Sequence, residues 1–553
     1  MQGGIHMADY LIKDALIVDG TGGKPFTGSV TLTGGRIDRI IKKNGRSGGA
    51  PRAKKTINAS GLALSPGFID IHSHCDWLLP DPNNAEVLAP LMLQGVTTVV
   101  TGQCGSSPAP VFRDNTGTLD FVSDVLCDNP ISFDNPTLGS FFTALEKNGI
   151  AMNMAHFIGH GTLNLTMKGE AYRRRFTPAE LVRMAASIDE SFDSGAFGLS
   201  FGLGYPPGIF SGLEELEWFA GFAGRRKAVV SVHLKSLGAI SPAYPFIPGG
   251  TPHNLMALRE MVDVAKKSGA ALQVSHLIFT GKPSWKTADA MIGAIEKESA
   301  SGLDIAFDAF PYTAGNTAMV ALIPSWFFKN FDRNIKSRLM IARFRAMWKI
   351  ANMIMGFDVY GDTIVLKANY EPFEKYDGMT FSAIAAAEGI TTFDAFLLLA
   401  EKTKAMTRVL IPGYYDNEGP DGIMTRVLNH PLCRFETDAI ITRKGFQNPA
   451  TYGNFPKILG GISRDMGLMP LEEAVRKMTG ASASRLGIKK RGEIREGYYA
   501  DLVLFDPQKI NENPEPNKPA LGIKHVFING GHAVDSGRLD RKKTHGRVLR
   551  KNE

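Results

Sequence analysis

Cysteine is scarce: Cys75, Cys104, Cys127 and Cys433 are the only four in 553 residues. Their wide, irregular spacing excludes a disulfide framework. Reduced thiols and a cytoplasmic location are the expectation. Long apolar runs are also missing. None approaches the ~18 residues of a membrane span, and Met1–Tyr10 lacks the apolar segment of a secretory leader. Charge of one sign does not dominate, because 62 Lys and Arg face 55 Asp and Glu, a net +7 spread over a long chain. The densest basic stretch is Arg538, Arg541, Lys542, Lys543, Arg547, Arg550 and Lys551, which reads as a solvated terminus with no binding module beside it. Nucleic-acid and membrane partners are therefore not expected. The 59 Gly and 31 Pro are dispersed rather than clustered, which excludes low-complexity character.

What is present is an alternation. Eight short apolar runs are separated by stretches of helical spacing: Ala63–Ile71, Thr97–Thr101, Ala151–Phe157, Ala196–Ser200, Val229–Val232, Leu272–Val274, Asp304–Phe307 and Cys433–Phe435. This is the pattern of an α/β (β/α)8 barrel. Both ends are β-rich, with Leu11–Asp19, Ser29–Thr33 and Arg36–Ile41 at one and Ala500–Phe505 and His525–Asn529 at the other. They predict a small β-sandwich domain shared by the termini, 8–63 and 485–553, around a barrel at 64–484. The stretch 326–405 is too long for one crossover and reads as a mostly helical insertion, a lid over the site or an interface, with the lid favoured by its place after a barrel strand.

The chemistry lies where the runs end. The first ends in His72-Ser73-His74, the second near Cys104, the fifth at His233, the sixth at His276 and the eighth at Asp438, with His156 and His160 at the third. Taken singly, each is more often structural: a core histidine, a small buried thiol, a helix cap. Together they converge, because every strand of a parallel barrel opens its carboxyl end on one face. His72 and His74, two apart in extended chain, point to the same side. Imidazole, thiolate and carboxylate suit Zn²⁺. Cys104 could bridge two ions or bind one. Zinc brings the pKa of a water to about 7. Asp438 beside it could take the water's proton and return it to a leaving nitrogen, while His160 or Tyr205 could hydrogen-bond a developing oxyanion.

Pro66-Gly-Phe-Ile-Asp-Ile-His-Ser-His74 resembles the first-strand signature of the amidohydrolase superfamily. Gly102-Gln-Cys-Gly105, Gly159-His-Gly-Thr-Leu163, Gly198–Tyr205, Val232-His233, Ser275-His276, Tyr452-Gly-Asn-Phe-Pro456 and Leu471–Thr479 resemble its N-acyl-D-amino-acid deacylase (D-aminoacylase) branch, and Gly492–Asp506 the superfamily's closing strand. The likeness covers about residues 8–535. It implies that Cys104, His233 and His276 hold a tightly bound zinc, with His72, His74 and Asp438 lining a weaker second position. Asp438 would be the acid/base. The activity implied is cleavage of a small N-acyl amide. The departures touch substrate binding. Gln103 replaces the branch's Asn, Lys235 stands for an Arg after the fifth-strand His, Ile278 for a Lys after the sixth, and Ala450 for the Arg that helps clamp a carboxylate. Lys235 is then the substrate cation expected, with Lys282 and Arg443 as substitutes. Hydrolysis of a cyclic amide, imide or lactone on the same centre is the alternative, a non-catalytic binding barrel a third, and a Cys104–His160 nucleophile pair a fourth. Homo-oligomerisation stays open.

Overall fold

A computed structural model describes residues 7–43, 52–127 and 131–553, so most of the Met1–Tyr10 stretch lies outside it. Eight parallel strands form the barrel wall: β1 (Phe68–Asp70), β2 (Val96–Thr101), β3 (Asn153–Gly159), β4 (Gly198–Gly202), β5 (Val229–His233), β6 (Ala271–Val274), β7 (Ile305–Ala309) and β8 (Cys433–Phe435). They pair in chain order. Most of their residues are buried on both faces, which is why they read as continuous apolar runs rather than alternating ones. Closure occurs just beyond β1 and β8: Ile71 N–H donates to Phe435 O, Asp438 N–H to His72 O (3.0 Å) and His74 N–H to Ala439 O (3.2 Å). The seam therefore zips His72, His74 and Asp438 together.

Helices between the strands follow from local signals. In Pro178–Asp193, Thr177 and Glu180 form a capping box, proline occupies the first turn, and Met184, Ile188 and Phe192 face the barrel. His253–Ser268 stops at Gly269 in the left-handed region.

Three segments depart from expectation, the first run, the insertion and the basic tail, while the termini do share a small β domain. The first run is two strands. Ala63–Pro66 pairs with Leu16–Ile17 and with Leu502–Phe505, and only Phe68–Asp70 enters the barrel. Gly67 allows this passage, since a Cβ there would lie 2.2 Å from Thr97 Oγ1. The two chain ends build one nine-stranded sheet around a core that includes Ile12, Val30, Leu64, Leu502 and Phe527. The insertion after β7 is mostly helical as read, but it also holds a three-stranded antiparallel sheet: Ala314–Ala318, Ile364–Lys367 and Arg408–Pro412. It has a core of its own around Phe344, Trp348, Phe393 and Phe396. Those strands are four or five residues long, too short to stand out from the surrounding helical spacing.

The basic tail is not a solvated terminus. Met154 N–H donates to Arg547 O and Leu549 N–H to Met154 O, so the tail adds a short parallel bridge to β3 below the point where β4 begins. Val548 is buried there, and Arg550 pairs with Glu146 at 2.6 Å. The charge count concealed one buried valine that decides the tail's path.

Candidate metal centre

The turn after β2 places the thiol. Gly102 and Gly105 both have positive φ, and a Cβ on Gly102 would lie 1.9 Å from Phe157 O, so this tight strand-to-loop passage admits only glycine. Gln103 points into the barrel, accepting from Ser231 Oγ (2.8 Å) and donating to Ile71 O (3.2 Å). Cys104 is thereby turned to the mouth, at φ 53°. His276 and Asp438 also have positive φ, 33° and 47°. Three non-glycine residues held in the left-handed region cost on the order of 1–3 kcal/mol each, and all three belong to this cluster.

Cys104 Sγ lies 3.3 Å from His72 Nε2, 3.6 Å from His276 Nε2 and 3.9 Å from His233 Nδ1. His233 Nδ1 and His276 Nε2 are 3.0 Å apart. Asp438 Oδ1 is 3.5 Å from His72 Nε2 and 3.4 Å from His74 Nε2. All six expected ligands thus meet: five form two donor triads that share the thiol, Cys104, His233 and His276, and His72, His74 and Cys104, and Asp438 lies against the second. Room for the His233 ring comes from Gly204, where a Cβ would lie 2.6 Å from Nε2.

The electrostatics are those of buried, crowded donors. Burial alone would raise the Cys104 thiol, but charge on His72 and hydrogen bonds from His233 and His276 bring it well below its ordinary value. Burial likewise opposes ionisation of Asp438, and the His74 hydrogen bond with charge on His72 and His276 reverses it, leaving a carboxylate. A low-pKa thiolate and a carboxylate among imidazoles are the states in which these groups bind a metal.

Among the described residues the other expected site groups divide. Tyr205 sits at the mouth, about a third exposed, donating to Cys104 O at 2.8 Å with its ring 5.0 Å from that of His233. Lys235, two residues beyond His233, lies with Nζ 5.4 Å over the Tyr244 ring and makes no ion pair. His160 is a correction. Its Nε2 is 2.9 Å from Glu215, its ring packs on Phe201 and Phe219, and its Nδ1 is buried, so neither nitrogen is offered to a substrate. The reason is that it begins the helix His160–Lys168, which turns it from the mouth toward the neighbouring helix Leu213–Arg225. That also removes the Cys104–His160 pairing. His156 is structural too, with Nδ1 2.8 Å from Thr101 Oγ1 and Nε2 3.3 Å from Ala109 O. Arg443 is held by Asp81 at 2.5 Å.

An amidohydrolase family model matches residues 438–532. D-aminoacylase of Alcaligenes xylosoxydans xylosoxydans is 29% identical over 94% of this chain and 93% of its own length. N-acyl-D-aspartate deacylase of the same organism is 29% identical over 98% and 95%. The crystal structure of N-acyl-D-glutamate deacylase from Bordetella bronchiseptica, complexed with zinc and a phosphonate inhibitor mimicking the tetrahedral intermediate, matches with a TM-score of 0.79 at 26% identity, covering 99% of this chain and 100% of that one. Over nearly its whole length the chain is similar to the D-aminoacylase branch of the amidohydrolases.

Two carboxylates near the centre escaped the sequence reading. Glu436 Oε2 is 3.5 Å and Asp308 Oδ1 3.6 Å from His72 Nδ1. Asp308 also accepts the His276 N–H (2.6 Å) and the Gln273 amide (2.7 Å). Both Glu436 oxygens are buried without a hydrogen-bond partner, and burial followed by the Asp308 charge pushes its carboxyl well up. The available signal was position: Asp308 follows the seventh run, and Glu436 precedes Asp438 by two, on the same side of extended chain.

Proposed function

We propose that this chain hydrolyses the amide bond of an N-acyl-D-amino acid at a zinc centre held by Cys104, His233 and His276, with His72, His74 and Asp438 around a second position. The observation that carries the reading is the convergence of six donors from five strand ends. Two imidazole nitrogens 3.0 Å apart and both turned on one thiol form a cradle that a cation satisfies and protons satisfy poorly. The donor set of thiolate, imidazoles and carboxylate suits zinc.

Zinc bound there supplies Lewis acidity toward water and the acyl carbonyl. The chain's own residues do the rest. Asp438 Oδ1, held by His74, receives the proton of the attacking water and passes it to the departing amine nitrogen, which leaves as a neutral amine. Tyr205, pinned through its hydroxyl to Cys104 O, fixes the turn that carries the thiol and walls the mouth. Lys235 meets the substrate carboxylate, because it follows the ligand His233 by two residues and makes no ion pair among the described residues.

The test is metal analysis followed by amine release from matched N-acyl-D- and L-amino acids and their uncharged analogues. Zinc-dependent release from the D series supports the proposal. Zinc-loaded protein inert toward every acyclic amide contradicts it. Replacing Lys235 by alanine should raise KM for the carboxylate substrates and leave the uncharged ones untouched.

A further inference from the structure

The terminal sheet carries a second cluster of metal-binding groups that hydrolysis does not use. His525 lies on the strand Ile523–Ile528, and His532 and Asp535 on its hairpin partner Gly531–Asp535. His525 Nδ1 is 3.1 Å from His532 Nε2 and 3.4 Å from Asp535 Oδ1. One donor atom from each of the three lies within 4.8 Å of the others.

We propose that His525, His532 and Asp535 form a second site for a divalent zinc-type cation, independent of the catalytic centre.

The packing around the rings points to a ligand. The rings are preset: His532 stacks on Phe527 (centroids 4.4 Å, planes 6° apart) with Tyr10 edge-on at 5.7 Å, so its Nε2 is fixed toward His525. The Ser536 N–H donates to His525 Nδ1 across a long 3.4 Å, a bond that a cation on that lone pair would displace. Two imidazoles this close either share a proton or both offer lone pairs to a cation, and the adjacent carboxylate favours the cation. Lys55 and Lys524 are the cations facing the cluster, and they weaken it.

Access is through Asp535, whose side chain is 67% exposed, while the two histidines are 13% and 11% exposed. Three protein donors leave one tetrahedral position to solvent. The site would clip the hairpin from which the C-terminal tail sets out toward the barrel.

The experiment uses full-length holoenzyme and Zn²⁺ alone. Equilibrium dialysis and elemental analysis compare wild type with His525→Ala/His532→Ala. The wild type should bind one more zinc per chain, with hydrolytic activity equal in both. In a Cys104→Ala background, added zinc should still raise Tm, and the histidine pair should abolish that rise. Should the double variant fold poorly, exposed Asp535→Asn is the substitute, with at least tenfold weaker binding of the extra ion expected. Equal zinc stoichiometry in wild type and variant, or a Tm rise indifferent to Asp535→Asn, overturns the proposal.

Discussion

Two buried polar clusters sit on the barrel, one at the carboxyl ends of the strands and one where the terminal sheet meets the wall, and they are built on opposite rules. Where the sheet meets the wall, Asp501 pairs with Arg491 and accepts from Asn153 (3.1 Å) and from the Asn529 N–H (2.7 Å). Asn529 in turn donates to Asn153 Oδ1 (2.7 Å) and His545 O (2.6 Å). In this cluster donors meet acceptors. At the strand ends, His72 Nδ1, His74 Nδ1, His276 Nδ1 and both Glu436 oxygens have no hydrogen-bond partner. A polar cluster that satisfies itself stabilises a junction. One whose buried polar atoms are left without partners is arranged for something that arrives later.

The largest difference should come from the strand-end cluster. Asp438→Asn keeps size and shape while removing the proton acceptor, so kcat should fall by about 10²–10⁴-fold with an unchanged melting curve. Steady-state kinetics beside calorimetry checks both halves. Breaking the other cluster should do the reverse. Arg491→Ala strands a buried Asp501 carboxylate and should cost about 3–5 kcal/mol of stability, read by denaturant unfolding, while the folded fraction keeps its zinc and its kcat.

Acid provides the next contrast. His156 is fully buried in the wall between the two clusters, and burial holds its pKa at about 4, opposed by the Ala109 carbonyl. Its folded value lies below the unfolded ~6.5, so the unfolded chain takes up the proton first as pH falls. The contribution is intact above about pH 6.5 and is lost between there and about pH 4, a swing of about 3 kcal/mol. Unfolding free energies across that window should show the slope, and His156→Gln should flatten it.

Smaller effects probe what surrounds the ligands. Glu436→Gln should weaken zinc binding by about 10–100-fold, measured by competition with a chelator. Tyr205→Phe loses one hydrogen bond to Cys104 O and should lower kcat/KM less than tenfold, near the ~1 kcal/mol of a single neutral bond.

The barrel was legible in the sequence because both-face burial leaves uninterrupted apolar runs, and the ligands were legible because they sit at the ends of those runs. What was hidden depended on packing between distant segments. His160 follows a strand just as His233 ends one, and only the turn into its helix, toward Glu215, separates the structural ring from the ligand. Glu436 was marked only by its place two residues before Asp438, and its meaning comes from His72 across the closing seam. The strands of the insertion are too short to impose a period, and Val548 tethers a tail whose composition is that of a free one.

X-ray absorption at the zinc edge, on protein loaded with one equivalent of zinc in the His525→Ala/His532→Ala background, tests the central claim most directly. The expected spectrum has one sulfur at about 2.3 Å and nitrogen or oxygen neighbours at about 2.0–2.1 Å, with the sulfur shell lost in Cys104→Ala. A first shell without sulfur in the unsubstituted-Cys104 protein would contradict the assignment of Cys104 and, with it, the centre built around that thiolate.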